Sequence, residues 1–314
     1  MESTPSDAEV RSELRREELG DADCGIAQTL GLIGDWWSWL ILRDIAGGLS
    51  RFDQLQEALG ISRRALAERL AGLVGDGVLA RRAYSTRPPR YDYVLTARGE
   101  GLIPVLLAMQ EFGDRHLLGD GSVTATIGER ESDRVQALLG AALPPLALAA
   151  DDGRPVRLGE AWQVLYCFPG AWAPAAQGYP PDWSSIPGAK GCTLESTTYA
   201  ARHASFVELG CEVYGVSTQR PDQLASFAAH VGLPFGLLSD QDGELAAALR
   251  LPMFRTSGVD RLKRVSLLLD PDGVVRHVQA PVTDPAGSVG EMLAAVAHVR
   301  SSLRASGGWA PGVS

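Results

Sequence analysis

The sequence predicts two domains of different class, a mainly α domain closed by a β-hairpin and, after it, an α/β domain. Three observations carry this reading. At 314 residues the chain is longer than one typical core, which takes about 100 to 200 residues. Apolar residues recur at helical spacing over 21–118, whereas short apolar strands alternate with helical segments over 136–302, the pattern of a sheet layered with helices. Between them, residues 119–135, GDGSVTATIGERESDRV, are polar and glycine-bearing and read as a linker. Residues 1–20 read as a disordered N-terminal tail and 303–314 as a flexible tail.

Composition narrows the classes further. Hydrophobic residues at 45% and charged residues at 21% describe a packed globular chain and exclude collagen-like, coiled-coil and wholly disordered ones. A net charge of -9 argues against a chain that is basic all over. Four cysteines without a CxxC pair, and five histidines without ligand spacing, predict no disulfide scaffold, no metal and no cofactor. The polar start and the lack of an eighteen-residue apolar window predict a cytoplasmic protein with no membrane partner.

In chain order, IAQTLGLIGDWWSWLILRDIA, RFDQLQEAL and SRRALAERLAGLVGDG are helical, and VLARRAYSTRPPRYDYVLT holds two strands around a tip at Ser85–Pro89. Three helices and a hairpin are the parts of a winged helix-turn-helix. Its recognition helix should run from Ser62, a good N-cap, to about Gly75, with Leu66, Leu70 and Leu73 buried and Arg63, Arg64 and Arg69 opposite. From Arg51 to Arg98 there are nine arginines and five acids, a local charge of +4 in a chain of -9. Such asymmetry suits a confined footprint on double-stranded DNA, with Arg87 and Arg90 on the wing. Thr96 then opens a helix to about Leu117 that carries Leu102, Val105, Leu106, Met109 and Phe112 along one face.

The stretch from Cys24 through LIGDWWSWLILRD, RFDQL, GIS and PPRYDYVLT to Gly101 resembles the HxlR family of winged-helix regulators. The resemblance implies a homodimer, built partly on its C-terminal helix, that binds a palindromic operator. It also makes Cys24 a redox candidate, since a cysteine near the domain start often senses electrophiles or oxidants; the usual next residue, proline, is here Gly25. Trp36, Trp37 and Trp39 are expected in core and dimer packing rather than in a ligand cage.

After residue 136 the order is strand VLYCFPG, a long loop, a helix from about residue 192, strand EVYGVST, a helix, strand FGLLSD, a helix, and strands VSLLLD and VVRHVQ. Cys192 follows a Pro-Gly turn and starts its helix, where the helix N-terminus favours a thiolate. Arg264, just before VSLLLD, adds a cation if that strand lies beside the helix start. On these grounds Cys192 is expected to be the most acidic of the four thiols. Cys167 and Cys211 are further redox candidates, more simply read as packing residues.

This half resembles the peroxiredoxins, in particular the bacterioferritin-comigratory (Q-type) group, through VLYCFPG, GCTLES, CEVYGVSTQ, LPFGLLSDQDGELAAALRLP and KRVSLLLDPDGVV. The resemblance implies a thioredoxin-like fold, with Cys192 as the peroxidatic cysteine and Arg264 as the active-site arginine. It also shows departures: Ala189 stands where the family has threonine, Ser185 where it has proline, and Thr197 where Q-type members often carry a resolving cysteine. An insertion, AWAPAAQGYPPDWSSI, precedes the catalytic turn; a second register through it would leave Ala173 and Ala176 in place of threonine and cysteine. The expected function is a redox-responsive transcriptional regulator that binds operator DNA as a homodimer and senses peroxide or an electrophile at Cys192. The alternatives are a thiol peroxidase, served by a thiol reductant, with an autoregulatory DNA-binding domain, and a ligand-responsive repressor with an inactive thioredoxin-fold domain.

Overall fold

The computed structural model describes residues 23–87, 89–174 and 178–305. The expected N-terminal tail, Pro88, Ala176 and residues 306–314 therefore lie outside the described residues. The chain divides into two compact units, residues 1–102 and 103–314.

In the first unit one apolar run is divided into α1 (Gly25–Ile33) and α2 (Trp36–Ala46). Asp35 causes the restart, its carboxylate accepting from the Ser38 amide at 3.1 Å as an N-cap. After α3 (Phe52–Leu59) the chain reverses on Gly60, whose φ of 61° is left-handed. The expected recognition helix is α4 (Arg63–Gly75): Ser62 Oγ accepts from the Ala65 amide at 3.2 Å, and Leu66, Leu70 and Leu73 are its buried residues. They join Ile33, Ile41, Leu42, Leu55 and Val78 in the core. Strands β1 (Leu79–Thr86) and β2 (Pro89–Leu95) pair antiparallel, with a bulge between Ala83 and Ser85. Thr86 still pairs with Pro89, so the tip is narrower than the turn-forming cluster suggested. Thr96 caps the short α5 (Ala97–Glu100), its Oγ1 accepting from the Gly99 amide at 3.2 Å.

The helix expected to continue unbroken to Leu117 stops at Glu100 and restarts as α6 (Ile103–Phe112), the first element of the second unit. Pro104 is the physical reason, since it offers no amide hydrogen to the carbonyl of Glu100 and its ring crowds that position. α6 passes into a π-helical turn, Gly113–Leu117. It buries Ile103, Leu107 and Glu111 and leaves Val105, Met109 and Phe112 exposed at 40%, 49% and 55%. Residues 119–135, read as linker, bury Ala125 and Glu131 and begin α7 (Glu129–Gln136).

The body of this unit is a seven-stranded sheet of β3 (Ala147–Ala150), β4 (Pro155–Arg157), β5 (Gln163–Cys167), β6 (Glu212–Ser217), β7 (Leu237–Ser239), β10 (Val265–Leu269) and β11 (Val275–Gln279), in the order β11-β10-β5-β6-β7-β3-β4. β5, β6 and β7 are parallel, and β10 runs antiparallel between β5 and β11. Helices α8 (Cys192–Glu208), α9 (Pro221–Val231), α10 (Glu244–Leu249) and α11 (Gly287–Ala305) surround it. β5 and β10 are buried at every position, which accounts for their largely apolar sequences, with Gln163 and Ser266 the polar exceptions. Tyr166, Phe168, Tyr199, Phe206, Phe227 and Met292 centre the core. Two hairpins without a strong sequence signal complete the unit, β3–β4 and a separate β8 (Met253–Thr256) with β9 (Val259–Leu262).

Candidate functional site

The antiparallel pairing of β5 with β10 sets Val265 opposite Cys167, and beside this start of β10 the two residues singled out from spacing meet. Cys192 is the first residue of α8, after Gly191 at a φ of 107°. Arg264 precedes β10, and its Nη2 donates to Cys192 Sγ at 3.1 Å, to the Lys190 carbonyl at 2.8 Å and to the Ala189 carbonyl at 3.4 Å. One guanidinium nitrogen thus fixes both the turn and the sulfur. The thiol also donates to the Ala189 carbonyl at 3.5 Å.

Sequence reasoning missed the third member. Glu195, one turn along α8 and fully buried, accepts from Arg264 Nη1, so the guanidinium is held between a carboxylate and the sulfur. Its signal was the i,i+3 spacing from Cys192, which places both on one helix face. Burial pushes Glu195 up to about 7 against the pull of Arg264, and its Oε1 has no hydrogen-bond partner among the described residues. Burial also pushes the Cys192 thiol up, with Arg264 and the Gly170 amide pulling down and Glu195 adding to the rise. Cys192 is 4% exposed, and at that depth desolvation opposes the helix end and the arginine.

A pocket of about 380 Å³ has Cys192, Gly191, Ala189, Thr193, Gly170, Tyr179 and Trp183 in its wall. Trp172 and Trp183 of the insertion pack edge to face at 5.3 Å, and both are buried with Phe254 and Ile186. Ala189 is wholly buried and offers no hydroxyl, whereas Ser185 is exposed in a 3-10 turn. Thr197 Oγ1 is returned to the Thr193 carbonyl at 2.9 Å. Cys167 and Cys211 are buried at 0% and 2%; burial holds Cys167 well above the usual thiol range and pushes Cys211 up to about 12. A larger cavity of about 470 Å³ elsewhere in this unit is lined by Glu111, Phe254, Lys263 and Glu131, the last two joined by a buried ion pair of 2.9 Å.

In the first unit Cys24 is exposed at the N-cap of α1. On α4, Arg63 and Arg64 are 73% and 81% exposed, Arg63 lying 3.7 Å from Asp53 and Arg64 2.8 Å from Glu68. Arg69 pairs with Asp35 at 3.3 Å, which ties it to the cap of α2. Arg87 and Arg90, at the hairpin tip, are exposed and have no ion pair among the described residues. Of the tryptophans in α2, Trp36 is 60% exposed and stacks on Trp37 at 3.8 Å.

Comparison with known proteins finds a different family for each part of the chain, the first match crossing the boundary between the two units. Residues 32–120 match the HxlR-like helix-turn-helix family, and residues 179–278, which include Cys192 and Arg264, match the AhpC/TSA family. An uncharacterized HTH-type transcriptional regulator of Synechocystis is 42% identical over 91 residues, 29% of this chain and 67% of that protein. One of Methanothermobacter thermautotrophicus is 31% identical over 117 residues, 36% of this chain and 86% of that protein. A third, of Mycobacterium tuberculosis, is 39% identical over 29% of this chain, and the match spans 58% of its length. Among solved structures, the peroxidoxin BcpB of Mycobacterium tuberculosis aligns at 24% identity over 52% of this chain and 97% of its own, with a TM-score of 0.43. No helix among the described residues is long and apolar enough to cross a membrane.

Proposed function

This chain belongs to the HxlR-like helix-turn-helix regulators through its N-terminal part and carries an AhpC/TSA-family domain after it, and from that premise we propose a redox-responsive transcriptional regulator. It binds operator DNA as a homodimer through α4 and the β1–β2 wing and senses a peroxide or electrophile at Cys192. The observation that carries the reading is the 3.1 Å contact of Arg264 Nη2 with Cys192 Sγ at the start of α8, where Cys192 lies in the wall of a pocket. A nearby guanidinium and a helix N-terminus stabilise a thiolate once it forms. With a hydroperoxide, the thiolate attacks the terminal oxygen, the O–O bond breaks, and the alkoxide or hydroxide leaves and takes up a proton, giving a sulfenic acid. Ala189 supplies no hydroxyl to orient the peroxide, which favours sensing over rapid turnover.

The dimer reading is supported by the exposed Val105, Met109 and Phe112 of α6, an apolar stripe that a second copy would cover. The test is operator affinity of the reduced and peroxide-treated protein. The wild type should change by about tenfold, which requires only about 1.4 kcal/mol, and Cys192→Ser should not. A full response in Cys192→Ser that disappears in Cys24→Ser would transfer sensing to the winged-helix part.

A further inference from the structure

Beside the thiol pocket lies a second buried guanidinium. Arg261, on β9, is 7% exposed, and its guanidinium carbon sits 5.0 Å from the Trp172 ring centroid and 5.7 Å from that of Trp183. Among the described residues it has neither an ion pair nor a hydrogen bond, and its Nε is buried without an acceptor. The indole Nε1 of Trp172 is buried without an acceptor among them as well. Nearby carboxylates are engaged elsewhere, Asp260 by Arg255 at 2.8 Å and Asp182 by the Thr256 hydroxyl at 3.1 Å.

Burying a cation without a counter-ion is costly, and each buried N–H without an acceptor adds to the cost. An arginine and an indole that lack acceptors in one place are the complement of a carboxylate, which accepts from a guanidinium fork with both oxygens. Trp183 joins this cluster to the chemistry: one ring packs against Arg261 and also lines the Cys192 pocket. The cation that holds the sulfur and the cation that lacks a partner among the described residues are therefore different residues, Arg264 and Arg261.

We propose that Arg261, with Trp172 and Trp183, forms a carboxylate subsite of the Cys192 pocket, so that the hydroperoxide or electrophile this thiol meets is one that bears a carboxylate. The inference rests on the reading of Cys192 as the reactive thiol and assigns the chemical class of its partner.

The experiment compares iodoacetate with iodoacetamide on the full chain, with each adduct assigned to its cysteine by peptide mass. Both reagents form a C–S bond as the C–I bond breaks and iodide leaves; one carries a carboxylate and the other an amide. Both need the same access to the buried sulfur, so the ratio of their rates isolates recognition of charge. Exposed Cys24 supplies the reference ratio within the same molecule. The iodoacetate-to-iodoacetamide ratio at Cys192 should exceed that at Cys24 by about tenfold, fall to the Cys24 value in Arg261→Gln, and be partly kept in Arg261→Lys. Equal ratios at the two thiols of the wild type overturn the proposal without any variant having to fold. A proportional slowing of both reagents in Arg261→Gln overturns it too, since the arginine would then act on the sulfur and not on the reagent. Hydrogen peroxide, which is uncharged, separates the two readings. A Cys192 inert to it that keeps the iodoacetate preference overturns the peroxide reading of the sensor, leaves the electrophile reading and supports the subsite; one that forms a sulfenic acid without that preference overturns the subsite alone.

Discussion

At Cys192 two opposing effects meet, and their balance sets the reactivity. Desolvation raises the thiol, while Arg264 and the Gly170 amide favour the anion. Arg264→Ala should therefore slow iodoacetamide labelling at Cys192 by about tenfold or more at neutral pH, read by peptide mass, because the charge of the guanidinium does most to offset burial. Glu195 acts in the other direction, competing for the same guanidinium. Glu195→Gln should move the midpoint of Cys192 alkylation to lower pH, since the carboxylate adds to the rise of the thiol. The substitution has a stability signature as well. The folded pKa of Glu195, about 7, lies above the ordinary 4.5, so its contribution to stability is full below pH 4.5 and is lost as pH rises to about 7. Denaturant unfolding should accordingly show Glu195→Gln gaining on the wild type between those pH values and holding the gain above them. The sequence made Cys192 and Arg264 legible because a helix start and a strand start each leave a local mark. Glu195 and Arg261 went unread because the partner of the first is 69 residues away and those of the second lie within an insertion, and nothing local announces such contacts.

Elements divide the labour on DNA. Arg64 projects from the first turn of α4, 81% exposed and paired with an exposed Glu68, so it can reach a base edge. Arg64→Ala should cost about 1 to 3 kcal/mol of operator affinity and relax specificity at one base pair. Arg90 stands at the wing, and Arg90→Ala should weaken all sequences alike and lower the salt slope by about one unit; titrations on operator and scrambled DNA at several salt concentrations measure both. Arg69 was counted with these from its position opposite the leucines, but its pair with Asp35 joins α4 to the cap of α2. Period and caps made α4 legible down to its Ser62 cap, whereas the exposed face of α6 depends on where the helix restarts, which Pro104 decides. On that face Met109→Asp should convert a dimer to a monomer in sedimentation, since a charge cannot be buried against an apolar partner surface.

For the whole molecule, sensing and binding obey one linkage. If the glutathione mixed disulfide of Cys192 changes operator affinity by about tenfold, operator DNA must shift the equilibrium that forms this disulfide by the same factor, about 1.4 kcal/mol. Equilibration in glutathione buffers with and without operator measures it, and an unshifted equilibrium alongside a shifted affinity would be thermodynamically inconsistent with Cys192 as the switch. The two-part organisation was legible because a change of apolar period survives any detail of packing. The role of residues 119–135 was not, because polar composition says nothing about long-range ion pairs. There Glu131 is held by Lys263, the immediate neighbour of Arg264. The thiol and the start of α7 are thus anchored by two consecutive residues of one backbone segment. Should oxidation at Cys192 displace the Arg264 guanidinium, the residue next along the backbone holds the first turn of α7, so the Lys263–Glu131 pair is the contact at which a disturbance of the thiol would be felt outside its own pocket.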